Sequence, residues 1–219
     1  MKRIIVVAVA LAFVLLSAGA ALAGISGSAH DMRTHMATQG TGQYLEVCVY
    51  CHTPHNAIQA SAPLWSRTNP ANGAYQYYTS TTMNATISGT IGTGSLICMS
   101  CHDGTMAVDQ TWVALTGSRG TSNNVALDSN FKMQASRTLL GTDLRNNHPI
   151  GFTYASAITN GDTTLNTLAS VTANAAVRLS GTALTVECSS CHDAHNTANA
   201  PFLRSSNAGS AMCLVCHNK

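Results

Sequence analysis

Every cysteine in the chain belongs to one of four Cys-x-x-Cys-His motifs: Cys48-Val-Tyr-Cys51-His52, Cys98-Met-Ser-Cys101-His102, Cys188-Ser-Ser-Cys191-His192 and Cys213-Leu-Val-Cys216-His217. This spacing suits covalent attachment of c-type haem. Two thiols bond to the two vinyl groups of one porphyrin, and a two-residue spacer lets one helical turn present both sulfurs to the same porphyrin edge. The next residue, histidine, then points its ring at the iron as the proximal ligand. Zinc knuckles and redox dithiols also use Cys-x-x-Cys pairs. Neither needs a histidine directly after every second cysteine, and no thioredoxin-like strand–helix context surrounds these pairs. Four motifs with no cysteine left over imply four haems, with His52, His102, His192 and His217 as proximal ligands, and four haems in one small chain imply electron transfer.

Five further histidines remain: His30, His35, His55, His148 and His195. Four irons need four distal ligands for bis-histidine coordination, so supply exceeds demand by one. His55 and His195 each lie three places after a proximal histidine, in His52-Thr-Pro-His55 and His192-Asp-Ala-His195. A residue so placed stays on its own side of the macrocycle, so each is expected to cross to a different haem and hold two haems close together. In His148-Pro149 the proline biases the backbone toward extended geometry, which suits outward presentation of the ring. His148 is assigned to the second haem, whose motif runs on as His102-Asp-Gly-Thr105 without a second histidine. Of the two histidines in the N-terminal arm, His30 is preferred as the ligand over His35. With histidine in surplus, Met32, Met36, Met83, Met99, Met106, Met133 and Met212 are read as packing against haem rather than as ligands.

The elements that must position these groups are modest. Only 9% of residues are charged and 5% aromatic, with Ser, Thr, Asn, Ala and Gly making up much of the rest. Such a chain has few large apolar side chains to offset its conformational entropy. The expected fold is a multihaem cytochrome c in which the haems form most of the core. The polypeptide is mostly coil, with short helices at the haem motifs. Residues 56–97 read as loop, with prolines and glycines as punctuation. Residues 176–180 and 183–187 alternate apolar and polar side chains around Ser180-Gly181-Thr182, which predicts a minor β-hairpin. The only repeat apparent is the haem motif itself.

Residues 1–23 read as a secretory signal peptide: basic Lys2 and Arg3, an apolar run from Ile4 to Leu16, and the small-residue site Ala21-Leu22-Ala23. A single tetrahaem domain, 24–219, follows. No second apolar run is long enough to span a bilayer. Without Lys2 and Arg3 the chain carries nine basic and nine acidic residues. That balance gives no basic stripe for nucleic acid.

The segments Cys48-Val-Tyr-Cys-His-Thr-Pro-His-Asn56, Cys98-Met-Ser-Cys-His-Asp-Gly-Thr105, His148-Pro-Ile-Gly-Phe152 and Cys188-Ser-Ser-Cys-His-Asp-Ala-His195, running on to Lys219, resemble the cytochromes with doubled Cys-x-x-Cys-His motifs. Four haems on a chain of this length resemble, within that group, the tetrahaem extracellular cytochrome nanowires of the outer-membrane cytochrome E type. The resemblance implies bis-histidine haems in a continuous line and polymerisation into filaments, a histidine of one subunit completing a haem of the next. It implies copies of the chain, periplasmic and outer-membrane cytochromes and extracellular electron acceptors as partners, and an extracellular or cell-surface location. A soluble periplasmic tetrahaem shuttle shares every haem feature. A multihaem reductase would need one iron with an open position and acid–base groups around it; surplus histidines and scarce charges argue for a non-catalytic carrier.

Overall fold

The computed structural model describes residues 24–37, 46–57, 63–111, 121–122 and 126–219; the expected signal peptide lies outside them. Regular structure is sparse. Among the described residues there are five short α-helices, α1 (Thr93–His102), α2 (Tyr154–Thr159), α3 (Leu168–Ala173), α4 (Cys188–Cys191) and α5 (Cys213–Cys216), beside three single 3-10 turns. Two antiparallel strand pairs complete the set. β1 (Met36–Ala37) pairs with β2 (Thr121–Ser122), and β3 (Phe152–Thr153) pairs with β4 (Thr185–Val186). None of the helices among the described residues is long and apolar enough to cross a membrane.

Three of the four haem motifs lie on helices, α1, α4 and α5, whereas the first sits in a hydrogen-bonded turn over residues 47–51. Helices α4 and α5 are single turns, too short to persist on propensity alone. External partners hold them. Tyr154 donates its hydroxyl to the Cys216 carbonyl at 3.0 Å, and the Asn166 side-chain amide donates to the Leu214 and Val215 carbonyls. These contacts satisfy carbonyls that the end of α5 would otherwise leave open. Helix α1 packs against α4 at Gly94. A Cβ there would stand 2.5 Å from the Ser189 Oγ, so a larger residue would force that hydroxyl to turn aside.

The predicted hairpin over 176–187 forms only at its turn. Ser180 and Thr185 exchange backbone hydrogen bonds, but Thr185–Val186 takes Phe152–Thr153 as its strand partner instead of residues 176–180. Burial decides the outcome. Phe152 and Val186 both enter an apolar cluster with Tyr154, Val171, Val177 and Met212. Two other clusters stand apart from it: one around Tyr50, Val108, Leu127 and Phe131, the other around Tyr75, Ile91, Met99 and Leu144. The apolar residues thus collect in separate groups beside the haem motifs.

Candidate functional site

In the first three motifs at least one spacer residue faces the protein, whereas Leu214 of the fourth is exposed. Tyr50, Met99, Ser100 and Ser190 are buried, while all eight cysteines are at least partly exposed. Each motif therefore offers a pair of sulfurs on an accessible edge, as attachment to a porphyrin edge requires. Among the described residues no three His, Cys, Asp or Glu side chains converge as a metal cluster would.

A strap of extended chain runs antiparallel to three of the motifs. Around the first, Ser66 N–H donates to the Cys51 carbonyl and Thr53 N–H to the Leu64 carbonyl. Around the third, Arg204 N–H donates to Cys191 and Asp193 N–H to Phe202. Around the fourth, Asn166 N–H donates to Cys216 and Asn218 N–H to Thr164. The first and third straps match in detail: Leu64 and Phe202 both adopt positive φ, near 59° and 58°. This repeat was not read from the sequence, although its signal is there. His55-Asn56 is followed by Ala62-Pro63-Leu64-Trp65, and His195-Asn196 by Ala200-Pro201-Phe202-Leu203.

The straps fix the imidazoles. His52 Nδ1 bonds the Pro63 carbonyl at 2.9 Å and His192 Nδ1 the Pro201 carbonyl at 3.0 Å. His102 Nδ1 bonds the Thr138 carbonyl at 2.7 Å, and His148 Nδ1 the Pro149 carbonyl at 2.8 Å. A carbonyl can only accept, so each Nδ1 carries the proton and each Nε2 keeps its lone pair. That is the tautomer a metal-binding histidine needs, with the second nitrogen orienting the ring. His35 is bound the other way, its Nε2 held 2.9 Å from the Ala29 carbonyl, and the Nδ1 atoms of His30 and His35 are buried without a partner.

Three histidine pairs face each other across similar gaps. Ring centroids are 6.0 Å apart for His52 and His195, 6.2 Å for His30 and His102, and 6.3 Å for His148 and His217. A metal sits about 2 Å from a ligating imidazole nitrogen, hence roughly 3 Å from the ring centroid, so two rings bracketing one iron stand about 6 Å apart. All three pairs fit that spacing. Each joins a motif histidine to one of the five others. His195, in the segment of the third motif, lies opposite the histidine of the first. Where the sequence assigns His148 to the second haem, its ring stands beside His217 of the fourth motif, and His30 stands beside His102. The β3–β4 pairing carries the 148–153 segment toward the C-terminal motifs.

Local chemistry favours neutral rings. Burial, with the neighbouring His102 adding to it, pushes His30 down to about 4. Burial and the nearby His148 hold His217 below the usual histidine range. The Phe202 ring stacks on His30 at 4.2 Å. Asp31 fixes the arm beneath it, accepting from Gly27 N–H and pairing with Arg33 at 2.7 Å. His55 and His192 are exposed, and neither has a ring partner among the described residues.

Motifs that follow one another in sequence are neighbours in space. Cys51 lies within electrostatic reach of Cys101, and Cys191 of Cys213. Cys98, whose Sγ donates to the Gly94 carbonyl at 3.6 Å, lies close enough to Cys188 for the two thiols to interact, which with burial holds Cys98 up and draws Cys188 down. The four attachment edges therefore run first to second to third to fourth.

Residues 182–219 match a family model described as a doubled CXXCH motif. No curated protein matches the chain. The match covers the third and fourth motifs and supports a multihaem c-type cytochrome, with covalent haem binding and electron transfer. The mostly coil fold with short helices is compatible with that class.

Proposed function

We propose that the chain is a four-haem electron conduit and the subunit of a polymeric filament that carries electrons to acceptors outside the cell. The observation that carries the reading is the histidine count. Three facing pairs use six of the histidines, and His35 is turned into its own arm. What remains is one motif histidine, His192, and one candidate distal ligand, His55, both exposed and apart. On this reading, the iron beside His192 takes its sixth ligand from His55 of an adjacent copy. A head-to-tail contact of this kind does not close on itself and propagates as a fibre.

Bound haem supplies one-electron chemistry at iron, and paired histidines keep its potential low. The protein's part is to fix the rings through Nδ1, to space the attachment edges in sequence order, and to keep charged groups scarce around them. It acts without a catalytic acid or base, its partners being its own copies, periplasmic and outer-membrane cytochromes and an external acceptor. Export through the signal peptide accounts for a surface location.

His55→Ala tests the assembly. The secreted holoprotein is expected to lose filaments in negative-stain microscopy while its other three haems keep their low-spin spectra. Filaments of normal length in the variant overturn the bridging role. Wild-type protein that stays dispersed in the periplasm makes it a soluble shuttle instead.

A further inference from the structure

Two buried charges of opposite sign sit at the two ends of α1, and neither has an ionic partner among the described residues. At the C-terminal end lies Arg67, 1% exposed. Its Nη2 donates to the Ser100 carbonyl at 3.0 Å and the Ala107 carbonyl at 2.8 Å. Nη1 donates to Val108, and Nε to the Ser100 hydroxyl at 3.3 Å. All these acceptors are neutral. The nearby C-cap acid Asp103 is turned away, accepting from Tyr75 and Thr105. At the N-terminal end lies Glu187, 2% exposed. It accepts from Gly92 N–H at 2.9 Å and from the Ser95 hydroxyl, and it caps α4 with Ser190. Each charge complements the α1 dipole, negative at the N-terminus and positive at the C-terminus. A guanidinium is a permanent cation, and every hydrogen bond to the Glu187 side chain comes from a donor.

Their place relative to the haem motifs gives these charges a second effect. Arg67 grips Ser100, inside the second motif, and its neighbour Ser66 bonds Cys51 of the first. Glu187 directly precedes Cys188 of the third, whose N–H donates to the Ser95 hydroxyl of α1. The ten residues of α1 span about 15 Å, so Arg67 lies by the first and second motifs while Glu187 lies at the far end of the helix, beside the third. We propose that Arg67 and Glu187 set the order of potentials along the haem line. Reduction removes one positive charge from an iron site. A fixed cation nearby therefore favours the reduced form and a fixed anion opposes it. Burial leaves both fields poorly screened by salt. The haems flanking Arg67 become the more readily reduced ones, and the haem beside Glu187 the less readily reduced, which gives the line a direction.

The inference rests on the haem reading, and a pyridine haemochrome count on the purified holoprotein comes first. A chain lacking four haems fails that reading, whereas four haems with unmoved midpoints fail this inference alone. Spectroelectrochemical titration, with the electrode supplying one electron per iron, then compares variants. Arg67→Gln is expected to move at least one redox step to more negative potential, and Glu187→Gln to move one to more positive potential. Arg67→Lys keeps the charge and is expected to titrate like wild type. Should Arg67→Gln not fold, Ser100→Asp places a carboxylate against the guanidinium and is expected to give the same negative shift. Loosened packing has no reason to act with opposite sign in the two charge variants. Shifts of the same sign, or none, overturn the proposal.

Discussion

The His148–His217 pairing makes a quantitative prediction about additivity. If the two rings, 6.3 Å apart, ligate one iron, removing either converts the same haem. His148→Ala alone then takes one haem in four out of the low-spin population, about a quarter of the signal. His217→Ala also costs a quarter, whether its haem stays attached as a five-coordinate site or is lost in maturation. The double variant still costs only a quarter, because the second substitution acts on a haem already changed. His102→Ala with His148→Ala removes two different haems and costs about half. This is the non-additivity of residues that share one partner, against the additivity of independent sites. Near-infrared magnetic circular dichroism, normalised to protein concentration, counts low-spin bis-histidine sites per chain directly. A loss of half the signal in the His148→Ala/His217→Ala variant refutes the pairing. A loss of only a quarter in the His102→Ala/His148→Ala variant restores His148 to the second haem.

Three further outcomes follow from local geometry. Gly151→Ala places a Cβ 2.5 Å from the Thr90 carbonyl at a φ of +79°; it is expected to destabilise the chain by about 1–3 kcal/mol in denaturant titration and to disturb the His148 haem first. Asp31→Asn removes the charge partner of Arg33 and weakens the Gly27 bond; it is expected to loosen the arm by about 1–2 kcal/mol and make the haem served by His30 partly high-spin in electron paramagnetic resonance. A chain with every motif cysteine changed to serine carries no haem to join the three small apolar clusters found among the described residues; it is expected to show no cooperative melting transition in circular dichroism.

The motif residues were legible in the sequence because covalent attachment is local chemistry: two thiols and an imidazole within five residues. Ligand pairing was not, since it depends on which segments fold together across the chain. His195 could be assigned to another haem from its spacing alone, but its place opposite His52 depends on long-range packing. That His148 stands beside His217 was not legible, because its own segment is silent about β4. The hairpin at Ser180 was legible as a turn and misread as a ladder, as alternation over 183–187 does not specify which strand it will meet. The straps were written in the paired Ala-Pro stretches, yet their meaning appears only when Pro63 and Pro201 are seen holding imidazole nitrogens. Arg67 and Glu187 gave no signal at all. Neither belongs to a motif, and burial alone gives them weight.

The central claim is a continuous line of haems running from one copy of the chain into the next. Cryo-electron microscopy of filaments sheared from cells expressing the protein tests it most directly. The account predicts four haems per subunit in motif order, the three ring pairs closed on iron, and His55 of one subunit on the iron beside His192 of its neighbour. Dispersed monomers in which every iron takes both ligands from its own chain contradict it.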